Sequence, residues 1–479
     1  MLPRVFLPSV GIGRLIGYAA FAVALSGPIR AQETGVTGTL PEDLMPGLRP
    51  LIESGMRQAP DMIARDINIS IAEAQRLYAG YGPMLPSLSG NAQYGEYETA
   101  IANSAQNAGL TPGSQTTSKT LGSFYEVDLA QPIFRWGSLR NQLQVQKISV
   151  LLSEKDYVLG YLAFANSVRR QYEGLVITKI GLRNSRINLR IRQKAADLAN
   201  DQLKAGIIAK TTATATQIDL DSTQLAYDRD AQGYDYARHA LARLVGLRDI
   251  ADDSIPLGIP PARYSPASSA ALVADLLQTG ARDTIQVQQS RLQLAQSDLQ
   301  YKIARVGLMP NLSAHATINQ YNQSQVLNGS VTQTALTNQQ YYVRVDWNIF
   351  DGFQTRGHKR EALLRRRQAE RNLDQTTDQI LNDAQNSQRG VDIAWRQLQL
   401  GERQFDVAHD SYNQQQADFK LGYISQDAAD QNEFTYDLAL LNEAMARNGF
   451  LSSWCDFLSA VAADPVMKQL PASYARAKP

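Results

Sequence analysis

The chain has 479 residues, with 47 Lys+Arg against 46 Asp+Glu and a net charge of +1. That balance gives no support to a nucleic-acid partner, which needs a clustered basic surface. The single cysteine, Cys455, excludes an intramolecular disulfide framework and a multi-cysteine metal site, and reads as a small buried residue on a helix.

At the N-terminus, Arg4 and Arg14 precede an apolar run from Leu15 to Leu25, followed by Gly27, Pro28 and Ala31. This is the layout of a secretory signal peptide, residues 1–31, with cleavage after Ala31. No cysteine lies near the cut to carry a lipid anchor, and no later apolar stretch reaches the length of a membrane-spanning helix. The expected mature protein is exported and has no helical anchor.

The remaining text is written twice. LPSLSGNAQY around Pro86 returns as MPNLSAHATI around Pro310. YEVDLAQPIFRWG, containing Pro132 and Phe134, returns as VRVDWNIFDGF around Phe350, and DQLKAGIIA around Gly206 returns as ADFKLGYIS around Gly422. Phe134 and Phe350 stand 216 residues apart, as do Gly206 and Gly422, so register is kept across the copy. The first repeat spans 32–250 and the second 269–465, joined by a Pro-, Ala- and Ser-rich linker at 251–268.

Each copy begins with a helical segment, about 60–82 and then 268–307, the second with Leu272, Leu276, Ile285, Leu292, Leu299 and Ile303 at helical intervals. Pro86 and Pro310 end these helices. Two alternating segments follow around a polar loop, predicting β-hairpins at 86–131 and 310–348. Leu88, Ala92 and Tyr94 alternate with Ser89, Asn91 and Gln93; Val127 and Leu129 with Glu126 and Asp128; Ala314, Ala316 and Ile318 with His315, Thr317 and Asn319; Val343 and Val345 with Arg344 and Asp346. Period-2 patterning fits a strand between lipid and water, but alternation by itself favours a half-buried strand of a soluble sheet. If the strands span a membrane, four are too few to close a barrel, and other copies of the chain must complete it.

Long helical stretches follow, from about Trp136 to Asn200 and from about Phe353 to Lys420, each closed by a Gly-containing break and another helix. About 65 residues at ~1.5 Å reach roughly 100 Å, several times an ordinary globular helix. Thin apolar stripes such as Leu182, Leu189, Ala196 and Leu203 suit coiled-coil packing. Residues 466–479 read as a loosely held polar tail.

Two repeats of helix–Pro–strand–loop–strand–long helix, with PIFRWG and NIFDGF leading into the long helices, resemble the TolC-like outer-membrane factors, the outer membrane efflux protein family. The resemblance implies an α+β membrane protein. Three chains would give a 12-stranded barrel in the outer membrane and a hollow α-barrel across the periplasm. It implies an exit duct for small molecules or secreted polypeptides, working with a periplasmic adaptor and an inner-membrane transporter and needing no cofactor. The turns after Gly206 and Gly422 would meet the adaptor. Asp427 and Asp430 would ring the periplasmic mouth, where crowded carboxylates attract cations; they read equally as ordinary solvated acids near a helix start. Pro86, Pro132, Pro310, Phe134 and Phe350 would mark the barrel-to-helix transitions.

Two rival classes follow from the same text. An enzyme finds little support: His239, His315, His358 and His409 lie far apart, no HExxH, phosphate loop or GxSxG elbow is present, and His315, on the polar face of a strand, reads as a pore or loop-proximal residue. Arg365, Arg366 and Arg367 read as a solvated helix face. The second rival is a periplasmic coiled-coil adaptor or scaffold without a pore, which leaves the duplicated strand pairs unexplained. Substrate and partner pump are not legible, because a passive duct takes its specificity from the pump; family frequency alone leans toward efflux.

Overall fold

The computed structural model describes residues 40–102, 115–327 and 330–469; the expected signal peptide at 1–31 and the end of the expected tail lie outside the described residues. In chain order the elements are α1 (Pro41–Leu44), α2 (Leu48–Gln58), α3 (Pro60–Gln75), β1 (Ser87–Ala102), β2 (Gln115–Phe134), α4 (Ser138–Lys204) and α5 (Lys210–Leu244). The second half supplies α6 (Pro266–Thr279), α7 (Ile285–Arg305), β3 (Asn311–Leu327), β4 (Ser330–Asp346), α8 (Gln354–Lys420) and α9 (Gln426–Ala460). α4 and α8 have 67 residues each, and α5 and α9 have 35 each. Both ends of each pair keep the offset already read from Phe134 and Phe350.

Two helical segments differ from their expected form. The stretch expected as one helix over 268–307 is two, α6 and α7. Gly280 (φ 60°) and Ala281 (φ 55°) enter the left-handed region, and the Ala281 N–H turns back to the Leu276 carbonyl at 3.1 Å. The stretch over 60–82 is α-helical only to Gln75, then widens into a π turn (Arg76–Tyr81) and tightens into a 3-10 turn (Gly82–Met84). Pro83 withholds a backbone donor there, which the change of helix type absorbs. The chain just past Pro465 also departs from a loose tail: Val466 is buried in a short 3-10 turn, Pro465–Gln469.

The strands form one antiparallel sheet in the order β1-β2-β3-β4. Pro132 falls inside β2, where the pairing with β3 shifts between Pro132 and Phe134, so the bulge absorbs its missing donor. Beneath the sheet the helices lie side by side. The upper halves of α4 and α8 flank α7, with α3 beyond α4, and the lower halves pair with α5 and α9.

The main apolar core sits halfway down. Tyr161, Tyr172, Phe450, Trp454 and Phe457 are almost wholly buried, with Leu48, Ile52 and Met62 from the N-terminal helices and Ile255 and Ile259 from the linker. Arg169 crosses this core. It donates to Glu42 at 2.9 Å and to Asp464 at 2.6 Å, fastening both ends of the described chain to α4. Cys455 is buried there as a free thiol, the bland role expected of it.

Candidate functional site: a two-faced sheet, its junction and the helix turns

The register shows what the alternation builds. Leu88, Leu129, Ala316 and Tyr341 stand in one cross-strand row, and Val127 and Ile318 in the next. Leu88, Val127, Leu129, Ile318, Tyr341, Val343 and Val345 are exposed, so the described residues leave this apolar face bare. The opposite face carries Asp128, Thr317, His315, Ser313 and Arg344. On it Thr317 donates to Asp128 at 2.6 Å, the His315 ring stacks on Tyr342 at 5.2 Å, and Arg344 donates to Asp346 at 2.9 Å. His315 thus stands on the polar face, as its alternation implied. β1 and β4 are 16 and 17 residues long, and each is hydrogen-bonded to a described strand on one side only.

The sheet meets the helices through a junction that both repeats write alike. The Trp136 indole donates to the Pro310 carbonyl at 2.8 Å, and the Trp347 indole to the Leu308 carbonyl at 3.1 Å. Gln131 donates to the Met84 carbonyl at 3.0 Å, next to Pro86. Trp136 (φ 53°) and Gly137 (φ 79°) turn the first chain into α4, and Gly352 (φ 65°) and Phe353 (φ 68°) turn the second into α8. Glycine thus serves one place in each left-handed pair, and an aromatic residue serves the other. Phe134 and Phe350 are exposed beside these turns, packed edge-on against Trp136 at 5.1 Å and Phe353 at 5.5 Å.

At the far end the two helix turns are alike in backbone. Gly206 (φ 73°) and Gly422 (φ 80°) end α4 and α8 in the left-handed region. The next N–H reaches five residues back, Ile207 to Gln202 at 2.8 Å and Tyr423 to Asp418 at 2.9 Å, which closes the orphan carbonyls. In the second turn Ser425 caps α9, accepting from the Ala428 N–H at 3.3 Å. Asp427 is exposed in the first turn of α9, whereas Asp430 is 6% exposed and faces α4. Asp430 is bound there by Lys194 and accepts from Gln426 at 3.0 Å. Burial alone would raise its pKa, but the hydrogen bonds from Lys194 and Gln426 outweigh it and hold the carboxyl below its ordinary value.

That contact is the lowest rung of a ladder that no single motif announces. Above it Arg190 meets Glu433 at 2.5 Å, and Arg183 meets Asp437 at 3.0 Å. Three bases of α4 thus face three acids of α9. Asp437 has no exposed surface, and one of its oxygens finds no partner among the described residues; burial raises its pKa against the opposing pull of Arg183.

The outer edges of the helical layer carry bare apolar stripes. Ile393, Leu400 and Val407 recur every seven residues on α8, each more than half exposed, and Ile218 and Leu225 do the same on α5. Ile63, Ile67 and Ile71 form a third stripe on α3. Their spacing was readable in the sequence, but only packing separates these stripes from the buried one that holds Val391 and Leu398. Among the described residues, no helix is long and apolar enough to cross a membrane.

Comparison with known proteins agrees with this architecture. Residues 51–247 match the family described as outer membrane efflux protein. The fold is similar to that of the Campylobacter jejuni CmeC outer membrane channel, with TM-score 0.64, 15% identity, and 95% of this chain and 94% of that chain covered. It is similar to the open state of the Neisseria gonorrhoeae MtrE outer membrane channel, with TM-score 0.58, 14% identity and coverage of 96% and 97%. The outer membrane protein VceC of Vibrio cholerae follows, with TM-score 0.56, 15% identity and coverage of 86% and 95%. No curated protein matches the sequence significantly.

Proposed function

We propose that this chain, whose residues 51–247 belong to the outer membrane efflux protein family and whose fold is TolC-like, forms one third of an outer-membrane exit duct. The observation that carries the reading is the two-faced sheet, whose two edges are unpaired among the described residues. Its apolar face suits lipid and its polar face suits a water-filled bore. Unpaired backbone in hydrocarbon costs several kcal/mol per group, so β1 of one copy must pair with β4 of the next. Three copies of four strands close a barrel of twelve.

The helices support the same ring. α8 forms one edge of the layer throughout, and α3 above and α5 below form the other. A head-to-tail ring sets the Ile393–Leu400–Val407 stripe of one copy against the Ile218–Leu225 stripe of the next. A periplasmic scaffold without a pore has no use for the bare sheet face.

The duct conducts passively, while an inner-membrane pump joined through a periplasmic adaptor supplies energy and selectivity. The turns at Gly206 and Gly422 form the periplasmic tip that meets the adaptor. Of the two gate candidates, exposed Asp427 offers its carboxylate to a ring at the mouth, and Asp430, with Lys194, holds α9 against α4.

Planar-bilayer conductance of the detergent-purified protein, with Asp427→Ala and Asp430→Ala beside it, tests the reading. Discrete long-lived steps are expected, with Asp427→Ala weakening cation block and Asp430→Ala raising open probability. Steps unaltered by either substitution would discard the gate but keep the duct. No steps, with the protein soluble without detergent, would discard the barrel.

A further inference from the structure

We propose that the outward face of the long helices, just beneath the sheet, binds anionic phospholipid headgroups, with Arg140, Arg356 and Arg360 taking the phosphates. The inference rests on the reading that the sheet crosses the outer membrane and the helices descend into the periplasm.

Arg140 and Arg356 are the third residues of α4 and α8, at equivalent places in the two repeats. Arg360 lies one turn below Arg356, and all three are exposed. None makes an ion pair with another described residue, whereas nearby Arg365 and Arg366 are paired with Glu361 and Asp298. Neither α4 nor α8 has an acidic residue in its first turn. The amino end of a helix carries partial positive charge, so a cation there is unfavourable unless an anion lies close by. At the head of α8 the Asp351 carboxylate accepts from the Thr355 N–H at 2.8 Å, whereas α4 has no acid in its first turn. In both repeats the arginine itself pairs with no acid among the described residues.

What lies directly above identifies the anion. Phe134, Trp136, Ile349, Phe350 and Phe353 are exposed at the junction, between the apolar sheet face and these arginines. Exposed aromatic residues below an apolar strand band sit at headgroup depth in a bilayer. Helical side chains lean toward the amino end of their helix, which carries the guanidinium groups up toward that level. Guanidinium binds phosphate in a two-pronged contact, the geometry that a headgroup offers.

The packing gives the direction of this face. Followed down α4, the face of Arg140 and Lys147 becomes that of Val158, Tyr161 and Arg169, all buried. There Arg169 holds Glu42 of α1 and Asp464, just past α9. Elements packed across a face cannot occupy the open bore of a duct, so this face points outward. On α8 the corresponding face descends from Arg356 toward Asp392, which accepts the Tyr264 hydroxyl of the linker at 2.6 Å.

The test uses the full chain in nanodiscs of equal parts phosphatidylglycerol and phosphatidylcholine, with the lipid retained on the protein counted by mass spectrometry. The wild type is expected to enrich phosphatidylglycerol. Arg140→Gln with Arg356→Gln should lower that enrichment about five-fold per charge removed, whereas Arg140→Lys with Arg356→Lys should retain most of it. Equal retention of the two lipids by the wild type, or enrichment unchanged in the Gln variant, would overturn the proposal. Displacement of phosphatidylglycerol by inorganic phosphate would reassign the arginines to free anions and overturn the lipid surface. Failure of the wild type to enter nanodiscs would overturn the spanning sheet, and this inference with it.

Discussion

Glu173 concentrates the physics of single residues in this chain. It is 1% exposed on α4, accepts from the Ser452 hydroxyl at 3.3 Å through one oxygen, and has no partner on the other among the described residues. Burial pushes its pKa up to about 8, the pull of Arg169 notwithstanding. The folded chain therefore keeps a proton that the unfolded chain releases above the ordinary carboxylate range. Stability from this group is fully present at acid pH and is lost as pH rises from the ordinary value toward about 8. Glu173→Gln keeps the shape and removes the titration. Thermal midpoints across pH should show the variant gaining on the wild type through that window and matching it below. Parallel curves would mean that Glu173 finds a counter-charge not seen here. The sequence offered no sign of this, since Glu173 is one acid among many on a polar helix, and only the convergence of α4 and α9 removes its water.

At the scale of elements, the repeat repeats backbone conformation more faithfully than side chains. Gly246 (φ 76°) and Ala462 (φ 55°) end α5 and α9 at equivalent places. A Cβ on Gly246 would lie 2.5 Å from the Gln58 carbonyl, so the helix end is packed against the end of α2. Gly246→Ala should therefore cost more than the ~1–2 kcal/mol that a left-handed alanine alone costs. Ala462→Gly should relieve strain and raise stability by up to about 1 kcal/mol. Urea denaturation of both variants checks the pair; equal and opposite shifts would mean that conformation alone governs both ends. The element order and the long helices were legible, because proline, glycine and heptad spacing act locally. The break at Gly280 was not expected, since apolar residues continue at helical intervals on both sides of it.

For the whole molecule, the ring makes a sharp demand on α8. Leu400→Asp with Val407→Asp places charge on a stripe that is bare in the single chain, so the fold itself should lose less than about 1 kcal/mol, as is usual for exposed sites. In a closed ring the same carboxylates would be trapped against an apolar stripe and would block assembly. Light scattering of the detergent-purified variant should report single chains, and far-UV circular dichroism an unchanged helical content. A trimer of normal stability would show that α8 does not meet α5 of a neighbour. A second double variant, Leu198→Asp with Leu421→Asp at exposed positions near the helix tips, should assemble normally and serves as the control.

The sequence by itself determined the duplication, the order of elements, the two faces of the strands and the left-handed turns at Gly206 and Gly422. These follow from local rules: period two for strands, heptads for long helices, and glycine where the backbone turns left-handed. It also put Asp427 and Asp430 together at the second turn, because both lie in the same short run. Tertiary structure alone decided their different surroundings. Residues three apart on a helix stand only about 60° from each other around its axis, so local geometry does not separate the two; the position of α4 does, leaving Asp427 in water and bringing Asp430 to Lys194. The partners in that ladder stand more than 230 residues apart, as 236 for Lys194 and Asp430 and 254 for Arg183 and Asp437. No periodicity reaches so far; packing two repeats against each other brings such charges together, and burial then sets what they do.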